Sequence, residues 1–427
     1  MSLQDDRALT LSTSSTAAVD AYVEGVTRLL CAQPGIETAL QDALHADPQF
    51  ALAHAALARA HQLHARPQQA RAAMAQALAL IDQTSARERG HIQALSLVLQ
   101  GDADRALTAI REHLAKFPRD RMVMAPCVGV FGLFGFSGLS GREQALDAFF
   151  QQYESACRDD WWFLAVRAFA QCETGQLGLA RQAIERSLQL RSDNANAAHI
   201  HMHVAYEDGE RTHAFTWLTR WLQDYDRAGL MHCHLSWHLA LCALENGDYS
   251  TAWRVIDAQV QPDVAWGPPL NVLTDTASFL LRAELSGMPR ETQRWQRLAR
   301  YALAVFPQPT VTFAEMHVLL ALTMSGQDAV ASARADGARA PAADLLPVLN
   351  RAWMAFAQGD DAEVLRQISP MLASHERLGG SRAQRDLLEH VAWVAATHLG
   401  QDPSMLRSRG IPLPHALRQP STPRSLS

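Results

Sequence analysis

Lysine is almost missing from this chain: Lys116 is the only one in 427 residues, and arginine supplies the rest of the 38 basic side chains. That skew reads as a coding bias, not as a mechanism. Basic residues are also outnumbered, since 44 acidic residues leave a formal net charge of −6. A general nucleic-acid binder needs a basic field, so nucleic acid is excluded as a partner. The six cysteines (Cys31, Cys127, Cys157, Cys172, Cys233 and Cys242) show no CxxC spacing, and Met1–Ser15 has no secretory pattern. They read as reduced, buried thiols of a cytoplasmic protein. No nucleophile elbow, phosphate loop or dinucleotide fingerprint occurs. What remains is 48% hydrophobic and 19% charged, the balance of a globular chain.

Charge is absent altogether between Arg121 and Arg142, about the length of a membrane span. The stretch also holds Pro126 and a glycine at every third position: Gly129, Gly132, Gly135, Gly138 and Gly141. A lone span would put the segments on either side of it across a membrane from each other. The repeat described next continues in phase beyond it, so a buried or loop-like stretch is expected and no membrane contact.

The dominant pattern is internal repetition. A small residue followed four later by an apolar one recurs at Ala70–Met74, Ala106–Ile110, Ala145–Phe149, Ala180–Ile184, Ala214–Leu218 and Ala252–Ile256. Successive alanines stand 34 to 39 residues apart, the tetratricopeptide period of 34 with small insertions. Pro118 and Pro48 close units where this repeat places its proline. Each unit is two antiparallel helices, and neither buries its apolar stripe without the next unit. The expected fold is therefore all-α, with tetratricopeptide-type helical hairpins stacked into a right-handed superhelical solenoid. Residues 1–16 form an N-terminal segment and 17–405 a single solenoid. Its repeats are clear over about 36–265 and looser over 266–405. Helical patterning persists there at Arg294–Phe306, Phe313–Met324, Leu345–Ala357 and Asp386–His398. Residues 406–427 read as a disordered tail.

Two histidine pairs stand out against this frame, His199-x3-His203 and His234-x3-His238. Seven histidines fall between His199 and His238. A four-residue spacing puts both imidazoles of a pair on one helix face. Numbering each recurring alanine as position 20 of its unit puts His199 and His203 at positions 5 and 9, and His234 and His238 at 2 and 6. These addresses line the concave groove. His91 is at position 5 of its own unit. Trp162 and Phe169 (positions 2 and 9) and Trp237 (position 5) supply an aromatic wall, although such stripes are more often core. His201, at position 7, is expected between helices. Tyr206 and Glu207 follow His203 by one turn and can orient a histidine.

Four such imidazoles can bind a transition metal, hold an anion or do acid–base chemistry. Otherwise they are groove residues satisfied by each other and by water. Asp275, His317 and Arg385 are further site candidates, able to reach the histidines only if the superhelix closes on itself. Closure favours a small-molecule pocket, and an open groove favours a peptide. In Leu378-Gly379-Gly380-Ser381, the glycines permit a tight turn and Ser381 can cap the following helix. Arg385 then offers either an anion seat or, with Asp386, a brace for the solenoid end.

These features together resemble the tetratricopeptide repeat protein 38 family, from about Leu9 to His398. The resemblance rests on Leu11-Ser12-Thr13-Ser14-Ser15, Arg87-Glu88-Arg89 with His91, and His199-x3-His203-Val204. It continues through the run Cys233-His234-Leu235-Ser236-Trp237-His238-Leu239-Ala240-Leu241, Asp275-x2-Ser278, Arg294-Trp295 and His317. Leu378-Gly379-Gly380-Ser381-x-Ala383-Gln384-Arg385-Asp386 completes it. It implies a cytoplasmic helical-repeat chain with signature histidines in the groove, and no particular activity. In that family a Glu usually stands three residues after the second histidine; Tyr206 occupies that place here, which weakens an enzyme reading. The expectation is thus a binding protein for a small anionic molecule or peptide segment. The alternative is a groove-sited enzyme using the histidines for metal-assisted or acid–base hydrolysis. No cofactor is assigned, and a metal on His199, His203, His234 and His238 is the lesser reading.

Overall fold

The computed structural model describes residues 3–406; the proposed tail lies outside them, apart from Leu406 itself. Twenty-one α-helices run through it in chain order. The first eight are α1 (Thr16–Cys31), α2 (Ile36–Ala46), α3 (Ala51–Leu63), α4 (Pro67–Ala79), α5 (Ala86–Gln100), α6 (Ala103–Leu114), α7 (Arg121–Met124) and α8 (Arg142–Gln151). The middle of the chain holds α9 (Trp161–Glu173), α10 (Leu177–Leu190), α11 (Ala195–Glu207), α12 (Arg211–Trp221), α13 (His232–Glu245) and α14 (Tyr249–Val255). The last seven are α15 (Pro269–Leu285), α16 (Thr292–Val305), α17 (Thr312–Met324), α18 (Asp328–Gly337), α19 (Leu346–Gln358), α20 (Asp361–Ile368) and α21 (Arg382–His398). Among the described residues there is no strand, only an isolated bridge between Gln4 and Thr10. Among the described residues no helix is long and apolar enough to cross a membrane.

Consecutive helices pair as hairpins (α1 with α2, α3 with α4, α9 with α10, α11 with α12), and first helices of neighbouring units pack side by side. The chain is an all-α solenoid of helical hairpins. Small residues make the close approach possible. Ala70, Ala106, Ala180, Ala214 and Ala252 are all buried in second helices, each with its apolar partner four residues on. Local chemistry fixes the starts: Asn194 accepts from the Asn196 and Ala197 amides to open α11, and Asp160 does the same for α9.

Ala145 breaks the pattern. It is exposed, while Leu146, Phe149 and Phe150 face inward. The reason lies just upstream. The first helix of this unit, α7, ends at Met124, and the glycine-rich segment replaces the rest of it with turns. With no full partner helix to approach, α8 has no need of a buried small residue at 145.

The superhelix closes on itself. At one end α1 packs against α11; Asn196 Nδ2 donates to the Leu30 carbonyl at 2.8 Å and Tyr225 Oη to that of Ala32 at 2.5 Å. At the other end α21 returns to lie against α11 and α15. The glycine-rich segment reaches the same region. Arg377 Nε donates to the Gly138 carbonyl at 3.2 Å, Arg142 Nε to that of Glu376 at 2.6 Å, and the Phe131 and Phe313 rings lie 6.1 Å apart. Before α21, Gly379 and Gly380 take φ of +90° and +74°, and Ser381 forms a capping box with Gln384.

Candidate functional site

The first helices α11 and α13 lie next to each other through their hairpin neighbours, and their histidine pairs meet. One ring nitrogen from each of His199, His203, His234 and His238 lies within 4.8 Å of all the others. His199 is central: its Nε2 is 2.8 Å from His203 Nε2 and 3.0 Å from His234 Nε2. His238 closes the group, its ring centroid 4.9 Å from both His203 and His234. Three of the four are buried and His199 is partly exposed.

Burial, and then mutual repulsion, hold His199, His203 and His238 neutral. His199 and His238 sit well below the ordinary imidazole range, and His203 is pulled down to about 3. The cluster is therefore a poor seat for an anion. Neutral imidazoles are what a metal ion requires. Buried Asp275, on α15, accepts from His234 Nδ1 at 2.7 Å. That contact fixes the tautomer and turns the Nε2 lone pair toward the other three rings. His238 Nε2 is buried with no hydrogen-bond partner. Tetrahedral zinc with nitrogen at about 2.0–2.1 Å spaces its donors by roughly 3.3 Å. The contacts at 2.8 and 3.0 Å are close to that, and separations of up to 4.8 Å have to close to reach it.

The cluster borders a chamber of about 250 Å³ on the inner side of the superhelix. Its walls come from distant parts of the chain: Leu29 and Leu30 of α1, Leu63 of α3, residues 128–131, Trp162 and Phe169 of α9, and Ile200 of α11. His199 and His234 face it at one side. Trp162 and Phe169 thus line the chamber, and Phe169 also meets His203 edge-on at 5.7 Å. Trp237 does not face the chamber; it is fully buried, with its ring stacked on His234 at 5.1 Å.

Four other candidates lie elsewhere. His91 belongs to a separate cluster in which Asp120 Oδ2 accepts from Arg87 Nη1 at 2.8 Å and contacts His91 Nδ1 and His113 Nε2 at 3.0 Å each. His91 is buried there, apart from the four-histidine cluster, with its Nε2 unpartnered. Tyr206 turns its hydroxyl away from the histidines to Asp386. His317 donates from Nδ1 to the Phe313 carbonyl of its own helix at 2.8 Å. Arg385 binds Glu143 and the Gly380 carbonyl, while Asp386 binds Arg282. Arg385 and Asp386 brace the closure, each through a different partner. His201 packs against Trp217 at 4.3 Å between α11 and α12, with neither ring nitrogen hydrogen-bonded.

Arg59, Asn196 and Asn271 line the chamber as well. The signal for two of them was in the addresses. Arg59 is position 9 of the unit ending at Ala70, and Asn196 is position 2 of the unit ending at Ala214. Arg59 stands in an alanine-rich helix, where an isolated arginine looks like a solvated one.

These helices define a helical-repeat protein, an all-α solenoid of stacked hairpins. No family model matches the chain. Among solved structures it is similar to the crystal structure of the P58(IPK) TPR domain, at 15% identity over 88% of this chain and 98% of that one. The TM-score of 0.21 is too low for that likeness to bear on shape or function.

Proposed function

We propose that this is a small-molecule-binding helical-repeat protein whose interior chamber ends on a transition-metal centre made by His199, His203, His234 and His238. The observation that carries the reading is the convergence of four imidazoles within 4.8 Å, one of them oriented by Asp275. Closure of the superhelix favours a small molecule over a peptide segment. The histidine–tryptophan run and the Gly-Gly-Ser loop support placing the chain with the tetratricopeptide repeat protein 38 type. Six free, buried cysteines are compatible with a cytoplasmic location.

Bound there, the metal would supply a Lewis acid at the chamber wall. Four histidines fill a tetrahedral zinc, which is the arrangement of a holding site. Metal-assisted hydrolysis, the second reading, needs a fifth position; the partial exposure of His199 on the chamber side is the feature that favours it. The test is elemental analysis of untagged protein prepared without chelator, beside the His203→Ala/His238→Ala double variant. About one equivalent of metal, lost in the variant, is expected. Protein that carries none and takes up none from added Zn²⁺, Cu²⁺ or Ni²⁺ overturns the centre.

A further inference from the structure

Buried arginines in this protein come with carboxylates. Arg87 pairs with Asp120, Arg167 with Asp147, Arg211 with Glu245, Arg282 with Asp386 and Arg334 with Glu315. Arg59, half-buried, breaks that habit. Its Nη1 donates to the Gln62 side chain, one turn along its own helix. Its Nε is buried with no partner, and no acidic group acts on it among the described residues. Desolvation alone pulls its guanidinium down to about 10. A charge taken partly from water without a counter-charge is costly, and the other inward arginines are each given one.

Arg59 lines the chamber, between apolar walls that include Leu63, Val128, Val166 and Ile200. The walls ask for hydrocarbon and the guanidinium asks for an anion with two parallel acceptors. We propose that the chamber is the seat of an amphipathic monoanion, a carboxylic acid with a compact apolar body, whose carboxylate pairs with Arg59. A dianion such as a phosphate ester lacks a second unpaired cation to meet it. Size sets the scale: a cavity of about 150 Å³ takes benzene, so 250 Å³ suits a molecule of about ten non-hydrogen atoms. The inference rests on the chamber reading above, though not on the metal.

Octanoate has that size and serves as the probe, with octan-1-ol and octylamine as the neutral and cationic counterparts. Calorimetric titration of the full chain at pH 7.5 should show one octanoate site, with octanol at least about tenfold weaker and octylamine silent. In Arg59→Met octanoate should fall to the level of octanol, while octanol binding persists. Arg59→Lys should restore part of the preference. Removal of a half-buried cation without a counter-charge should leave Arg59→Met folded, with a Tm no lower than that of the parent. Octanoate bound no better than octanol, or bound equally by Arg59→Met, overturns the proposal. The same titration on the His203→Ala/His238→Ala variant separates the two readings. Octanoate bound by the variant leaves the acid site standing, and a parent protein that binds octanoate yet takes up no metal sinks the centre alone; a metal-loaded parent indifferent to octanoate does the reverse.

Discussion

His234 and Asp275 lie on different helices, 41 residues apart in sequence, and meet through a 2.7 Å contact from Nδ1 to Oδ2. Neither is exposed. Asp275 is held somewhat above the usual carboxylate range by burial, and His234 draws it back down. The carboxylate therefore has one purpose visible in the geometry, to orient a ring whose other nitrogen faces three more rings.

Asp275→Asn keeps the shape and removes the charge. Metal affinity should fall about 10- to 100-fold, the usual effect of losing such a partner, with little change in helicity. Competition against a chromophoric chelator reads this directly. Unchanged affinity would mean that Asp275 serves packing alone.

Ala180 is fully buried in α10, whereas Ala145, at the equivalent repeat position in α8, is exposed. Ala180→Leu should cost on the order of 1–3 kcal/mol through overpacking. Ala145→Leu should stay within about 0.5 kcal/mol of the parent. Urea denaturation of both variants checks the pair, and equal effects would contradict the repeat register.

His317 and His375 are held at about 4 by burial. Their folded values lie below the ordinary 6.5, so the unfolded chain takes up protons first as pH falls. Their contribution is complete above pH 6.5 and drains away toward pH 4. Each should remove about 2 kcal/mol between pH 7.5 and pH 5. A denaturant midpoint that is flat over this range would contradict their burial; His317→Gln should lessen the slope.

Gly380 has φ +74°, and a Cβ there would run into the Phe313 ring. Gly400 has φ +69° with open space around it. Gly380→Ala should therefore cost on the order of 2–4 kcal/mol, and Gly400→Ala about 1 kcal/mol. Thermal unfolding of the two tells conformational strain from collision.

The repeat was legible because a small residue at a helix crossing has few substitutes, and five of six alanines are buried as the spacing demands. The meeting of His199, His203, His234 and His238 followed from the same register, since i and i+4 positions on neighbouring first helices have nowhere else to point. Ala145 misled because the glycine-rich segment removes the helix it would have packed against. Arg385 and Tyr206 were placed at the site on address or motif alone, yet their partners Glu143 and Asp386 lie far away in sequence. Only the closed path of the chain brings those groups together, and periodicity carries no information about closure. Arg59 had the right address, but what distinguishes it is the carboxylate it lacks.

Closure also changes what kind of polymer this is. An open stack of hairpins tolerates gain or loss of a module, because each touches only its neighbours. Here residues 234 apart grip each other, as Arg142 grips the Glu376 carbonyl. Adding one hairpin would rotate every later one and carry α21 off its seat. The number of modules is therefore locked, and a chain that must seat both its first and its last helix on α11 should assemble as one slow, all-or-none event instead of unit by unit.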